Sequence, residues 1–304
     1  MIFNQSYYNL EDKIESSKKI LNQALSEYKP HCTIVAFSGG DDSLCVMEVL
    51  KYLNHKPQYA IFANTGTCIP ATKTFVETYC KTNGIELLTT SPKKTLREMV
   101  IKEGFPGLGK SAHNYSFGEL KGKPIRDMIS AKIRQGKRHR NVIVFSGIRR
   151  NESEERSRSN KYKSPFWQQK TRIGSDGEQR YVPNIWTSLI HQWEKEDTLE
   201  FLESVKQDRN PISILLGRSG DCHCGTAIAN PQKEFSELNK HAQSVAKEIS
   251  ELNQYCIEKR LTQWAEKRKK SSFLEKQGQC NLFEGLDLCR GCKNKYILEN
   301  KRTK

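Results

Sequence analysis

The chain has 304 residues, 36% hydrophobic and 28% charged, and carries a formal net charge of +15. That length accommodates one large α/β domain with an appendage, or two modest domains. No run of about 18 apolar residues occurs, and the first twenty residues lack a basic segment followed by an apolar one, so no membrane span and no secretory signal is read and a cytoplasmic protein is expected.

The excess of Lys and Arg points to a polyanionic partner, nucleic acid first, although nucleotide phosphates recruit the same side chains. Ten cysteines in a cytoplasmic chain are read as metal or redox groups rather than disulfides.

In chain order, Leu10, Ile14, Ile20, Leu21 and Leu25 recur near helical spacing and predict an N-terminal helix over 10–28. "TIVAF" is a short β-branched strand, "SLCVMEVLKYLN" a helix, "YAIFAN" a strand, and "ATKTFVETYCKTNG" a helix that Gly84 ends. "IELLTT" is a third strand, "TLREMVIKEG" a helix and "NVIVFSGI" a later strand. This alternation predicts βαβ units around a parallel sheet. "RRNESEERSRSNKYKS" is charged and nearly free of apolar residues, and by itself reads as a disordered loop. From Pro231 to Lys270 apolar residues recur every three or four positions, as one long helix or two. No internal repeat is visible.

The junction of the first strand and its helix, "SGGDDS" at Ser38–Ser43, has the make-up of a phosphate cradle. Glycines let backbone N–H groups turn toward an anion, the helix N-terminus adds positive partial charge, and two serines donate hydroxyls. An acidic residue in such a loop becomes sensible with Mg²⁺ bridging carboxylate and phosphates, a role assigned to Asp42. Asp41 is read as incidental.

This loop is similar to the S-G-G-x-D-S loop of the PP-loop ATP pyrophosphatases. More narrowly, the chain resembles the phosphoadenosine phosphosulfate (PAPS) reductase family. "NTG" at Asn64–Gly66 stands where that family has D-T-G, so Asn64 is a departure. "GIRRNESEER" at Gly147–Arg156 is similar to its G-x-R-x-x-x-S-x-x-R segment, and "NPISILLGRSGDCHCG" to its N-P-L-Y–G–x–S–G-C region. The resemblance runs from Ile34 to Gly225. It implies an α/β fold of the adenine-nucleotide alpha-hydrolase type: a parallel twisted sheet flanked by helices, with a helical, cysteine-containing C-terminal appendage. The boundaries expected are 1–30 for the N-terminal helix, 31–217 for the nucleotide-binding domain and 218–304 for the C-terminal region. It also implies catalytic roles for Asp42, Arg149, Arg150 and Arg156, and nucleotide contacts from Ser38, Gly39, Gly40, Asp42, Ser43, Thr65, Gly66, Gly147 and Ser153. The arginines follow a strand end, where α/β sheets place ligands, and guanidinium forks suit phosphate and sulfate.

"GFPGLGKS" at Gly104–Ser111 matches G-x-x-x-x-G-K-S, but a helical pattern precedes it and a poor helix follows, so it reads as a flexible loop. By the resemblance it lies near the site, with Lys110 and Lys121 as candidate substrate contacts.

Cys222 and Cys224 form C-x-C, and Cys289 and Cys292 form C-x-x-C, with Cys280 nearby. Four soft ligands suit an Fe–S cluster or Zn²⁺ equally. The family resemblance favours a 4Fe–4S cluster on Cys222, Cys224, Cys289 and Cys292, with Cys280 as substitute ligand or reactive thiol.

Two reactions share this fold. In the first, favoured by net charge and by the lack of the reductases' E/K-C-G-L-H segment, ATP adenylates a substrate, pyrophosphate leaves, and sulfur is inserted. The acceptor would be nucleic acid, as in DNA phosphorothioation or tRNA thiolation, with a sulfur donor such as a cysteine desulfurase. In the second, PAPS or adenosine phosphosulfate is reduced. A third reading is a catalytically silent, zinc-containing nucleic-acid-binding protein.

Overall fold

The structure is a computed structural model that describes residues 9–107, 110–137, 139–153, 157–158, 162–170, 181–224 and 231–263. The first helix, α1 (Leu10–Tyr28), is capped by Asn9, whose side chain accepts from the Glu11 amide. The chain then alternates: β1 (Cys32–Ala36), α2 (Asp41–Tyr52), β2 (Tyr59–Ala63), α3 (Pro70–Thr82), β3 (Glu86–Thr90) and α4 (Leu96–Glu103). The helices α5 (Lys110–Phe117) and α6 (Lys123–Met128) come next, then β4 (Val142–Phe145), β5 (Phe166–Lys170) and β6 (Tyr181–Thr187). The helices α7 (Lys195–Ser204), α8 (Pro211–Leu216), α9 (Pro231–His241) and α10 (Gln243–Glu258) complete the described order.

Six strands form one sheet in the order β3-β2-β1-β4-β6-β5. β1 pairs in parallel with β2 and β4, and β4 with β6, while β5 runs antiparallel on β6. The α/β architecture expected from the alternation is present, with an antiparallel edge strand added. Only residues 171–180 separate β5 from β6, fewer than a parallel crossover requires. All four residues of β4 are fully buried, as are Ile34 and Val35 of β1 and Phe62 of β2, which is why these strands read as continuous apolar runs. Strand order reverses between β1 and β4. The crevice beyond their C-terminal ends is therefore a topological switch point, where such sheets bind ligands.

The described residues divide into two compact units. One draws on 1–62, 78–88 and 129–210, the other on 63–77, 89–128 and 211–304. In the first, α2 is buried along most of its length and packs on α7. In the second, Leu96, Met99, Val100, Phe105, Leu120, Cys224, Leu252 and Cys256 form one apolar cluster. Ile69, Ile212, Leu238, Val245, Ala246 and Ile249 form another.

One expectation changes here, and one open alternative is decided. The stretch after "GFPGLGKS" is helical, as α5 and α6 with one wide turn over Gly118–Gly122 between them and another over Ile129–Ile133. Ala112, Ser116, Leu120, Ile125, Ile129 and Ile133 are buried, and the five-residue step from Leu120 to Ile125 is absorbed by the first wide turn. Pro231 to Glu258 forms two helices with the junction at Ala242 (φ −153°). No described helix is long and apolar enough to cross a membrane.

Candidate active site

The loop Ser38–Ser43 sits at the C-terminal end of β1. Gly39 takes φ +77°, a region that disfavours side chains, and lets the chain turn into α2 with Gly40 as N-cap. The Ser43 hydroxyl donates to the Gly40 carbonyl at 2.9 Å and lies 3.1 Å from the Ser38 hydroxyl. The Ser38 oxygen also accepts from the Gly40 amide at 3.4 Å. Asn210 braces the turn from the far end of the first unit, donating its amide to the Gly39 carbonyl at 2.9 Å.

The segment after β4 presses against this loop. A Cβ on Gly147 would lie 2.6 Å from the Asp42 carbonyl carbon and 2.7 Å from the Ser43 nitrogen, so only glycine allows that approach. Two residues on, Arg149 is buried and forks onto Asp42, its Nε 3.1 Å from one carboxylate oxygen and its Nη2 3.3 Å from the other. Both oxygens of Asp42, the residue expected to face Mg²⁺, accept from this guanidinium.

Asp41, read from sequence as incidental, is buried and more heavily bonded than Asp42. Arg209 forks onto it at 3.0 and 2.8 Å, and Lys195 donates to it at 2.8 Å while standing 3.7 Å from Asp42. Burial alone would push the Asp41 carboxyl up, but hydrogen bonds from Arg209 and Lys195 outweigh it and hold it below its ordinary 3.8. A depressed value in the folded state means that the pairing stabilises the fold fully above that ordinary value, and that this share is lost as pH falls through the folded value. Acid unfolding followed by circular dichroism is therefore expected to steepen below about pH 4, and Asp41→Asn to reduce that slope. An unchanged acid limb in the variant would contradict the pairing.

The other expected contacts fall as follows. Arg150 opens a short helical turn (Arg150–Glu152), its amide donating to the His191 carbonyl at 2.9 Å, and the Ser153 carbonyl accepts from the Ser157 amide. These residues share the 147–153 segment with Gly147 and Arg149, while Arg156 lies outside the described residues. Thr65 and Gly66 belong to the second unit. There Thr65 donates to the Asp221 carbonyl at 2.9 Å, and Asn64 accepts from the Gly66 amide at 3.1 Å, as an aspartate in that position would.

The same unit holds Cys222 and Cys224. The Lys121 ammonium meets Asp221 at 2.6 Å, Ser219 donates to the same carboxylate at 2.7 Å, and Arg218 donates to the Cys222 carbonyl at 2.8 Å. Lys121, a candidate substrate contact, is thus committed to an ion pair, and the side chain of Lys110 lies outside the description. Hydrogen bonding with Cys224, then burial, push the Cys222 thiol well up. His223 donates toward the Thr67 carbonyl at 2.8 Å and is pushed down to about 3 by burial, so it is neutral. Cys224 packs in the apolar cluster with Leu96, Met99 and Phe105.

Among the described residues no group of three or more His, Cys, Asp or Glu side chains is gathered to hold a metal ion. This overturns the expected 4Fe–4S or zinc centre: the carboxylate beside Cys222, that of Asp221, is already spent on Lys121, and Cys224 packs among apolar side chains. Cys280, Cys289 and Cys292 lie outside the described residues.

Several known proteins share features with the chain. A PAPS reductase from Candida auris in complex with phosphate is 15% identical over 71% of this chain and 94% of its own, with a TM-score of 0.43. A Candida glabrata FMN adenylyltransferase with FAD and inorganic pyrophosphate is 13% identical over 68% and 61%, with a TM-score of 0.46. The U34-tRNA thiolase of Methanococcus maripaludis with its [4Fe-4S] cluster is 13% identical over 94% and 89%, with a TM-score of 0.38. No curated protein matches. The family model of the phosphoadenosine phosphosulfate reductase domain matches residues 32–212, a span that takes in the loop, Gly147, Arg149, Lys195 and Arg209. With that match over more than half its length, the chain belongs to the PAPS reductase domain family, an enzyme family of the PP-loop superfamily.

Proposed function

We propose that the enzyme acts on a sulfonucleotide, PAPS or adenosine phosphosulfate, held by its phosphates at Ser38–Ser43. The observation that carries this reading is the charge balance at the loop. Asp41 and Asp42 face three cations, Arg149, Lys195 and Arg209, beside the N-terminus of α2. The excess positive charge suits an anionic nucleotide and the negative charge that grows on its phosphate as the sulfuryl group departs. In the reaction proposed, a thiolate supplied by a separate dithiol reductant attacks the sulfur of the sulfuryl group. The S–O bond breaks, its electron pair stays on the nucleotide phosphate, and the thiol carries an S-sulfonate. The second thiol of the reductant then attacks the first sulfur, expelling sulfite and leaving a disulfide. The chain's own residues bind the nucleotide, orient it and neutralise the leaving phosphate.

A second reading is favoured by the net charge of +15, which suits a nucleic-acid substrate. In it the loop holds ATP, a nucleic-acid oxygen attacks the α-phosphate, pyrophosphate leaves, and sulfur from a donor such as a cysteine desulfurase replaces the activated oxygen.

One pair of assays separates them. The first reading expects dithiol-dependent sulfite release from PAPS or adenosine phosphosulfate, with no ATP–pyrophosphate exchange. Exchange that depends on DNA or tRNA, with no sulfite released, would replace it with the second.

A further inference from the structure

The sheet has a second charged edge. The parallel register sets the N-terminal ends of β1, β2 and β4 side by side, with Ile34 opposite Tyr59 and Cys32 opposite Val142. Three loops enter there: 28–31 "YKPH", 53–58 "LNHKPQ" and 134–141 "RQGKRHRN". Among the described residues they contain Lys29, Lys56, Arg134, Lys137 and Arg140, three histidines, and no Asp or Glu. Two of the loops are tied to each other: the His31 amide donates to the Asn141 carbonyl, and the Asn141 side chain to the Tyr28 carbonyl, both at 2.9 Å. The third is tied to β1, the Gln58 side chain accepting from the Thr33 amide at 2.8 Å. Lys29, Lys56 and Lys137 are exposed, and Arg140 is half-buried with its guanidinium on Gln135. Among the described residues none of these four is ion-paired to an acid. The nearest acid in sequence, Glu27, accepts from Gln23.

We propose that this edge is a docking surface for a nucleic-acid backbone. The row is several cations wide, tied to the sheet by hydrogen bonds, without an acid in its three loops, and poor in apolar groups. A protein partner would call for an apolar patch at the centre of its contact, and a membrane for residues that insert. Of the large exposed apolar side chains only Tyr52 is near in sequence, and its ring already edges onto Phe201. Interfaces with nucleic acid are instead polar and strongly cationic. The surface lies across the sheet from Ser38–Ser43, a strand length of about 16 Å away. It therefore holds the polymer without placing it in the nucleotide cradle, and the proposal stands whether the enzyme reduces a sulfonucleotide or adenylates.

The test uses the full chain and a variant carrying Lys29→Gln, Lys56→Gln, Lys137→Gln and Arg140→Gln. Binding of a fluorescent random-sequence DNA duplex and of single-stranded RNA is titrated across salt concentrations. The parent chain is expected to bind at least one of them, with affinity falling steeply as salt rises. The variant should bind at least about tenfold more weakly at 0.1 M salt, its log–log salt slope reduced by about 3.6 on the duplex and about 2.8 on the single strand, since each phosphate contact contributes about 0.9 and about 0.7 respectively. Unaltered nucleotide binding at Ser38–Ser43 would show that the variant is folded. Failure of the parent to bind either polymer, or an unchanged slope in the variant, overturns the proposal. Tighter binding to vesicles containing phosphatidylserine, lost through the same four substitutions, would do so too.

Discussion

Gly147→Ala is expected to remove nucleotide binding from an otherwise folded chain. The added methyl would lie within 2.8 Å of three backbone atoms of Asp42 and Ser43, none of which can rotate away as a side chain could. Relief requires β4's exit and the start of α2 to separate, which carries Arg149 off Asp42 and opens the cradle. Overpacking of this kind costs about 1–3 kcal/mol, and a shifted cradle loses at least about tenfold in affinity for each 1.4 kcal/mol of lost contact. Calorimetric titration with ATP and with adenosine 3′,5′-bisphosphate measures it, and wild-type affinity in the variant would contradict the packing described. Gly118→Ala is the control, because a Cβ there meets nothing within 4 Å.

Arg149→Ala has the second largest expected effect. The guanidinium is 6% exposed and its fork covers both oxygens of Asp42 at the mouth of the loop. Removing it leaves that carboxylate uncompensated and, under the proposed function, facing the nucleotide phosphates without the donor that would neutralise their developing charge. Loss of one such donor typically costs about 10²–10³ in rate. Arg149→Lys should recover little, since a single ammonium cannot span both oxygens. Combining Arg149→Ala with Asp42→Asn should be less damaging than the sum of the two, because the second change removes the charge the first exposed. Strict additivity in steady-state kinetics would show that the pair does not act as a unit.

How much of this was legible in the chain differs element by element. "TIVAF" and "NVIVF" announce buried parallel strands because nothing polar can be tolerated on either face, and both are strands at the centre of the sheet. β5 and β6 gave no such signal. Polar Gln168 and Gln169 interrupt one, which is the edge strand; Pro183 and Asn184 interrupt the other, where Pro183 lies at the register shift between Gln168 and Lys170 and before the pairing with β4 begins at Asn184. The helices after Gly107 were hidden by glycines and a proline, which a wide turn accommodates only because the buried row on either side of it holds it in register. The metal expectation rested on cysteine spacing and on the family resemblance. Spacing records which thiols could converge, whereas among the described residues the local partners of Cys222 and Cys224 are an ion pair and an apolar cluster.

The loop at Ser38–Ser43 and its glycines were determined by local sequence, whereas the arginine segment after β4 was legible only through the family resemblance. The loop and its glycines obey short-range rules of turn geometry and helix entry that act within a few residues. Tertiary structure alone decided what Asp41 does. Its partners lie 168 and 154 residues away, and neither is itself part of a motif quoted from the sequence. Coulomb attraction depends on distance in space, and only the folded sheet, by bringing α7 and the chain before α8 to the start of α2, makes that distance short.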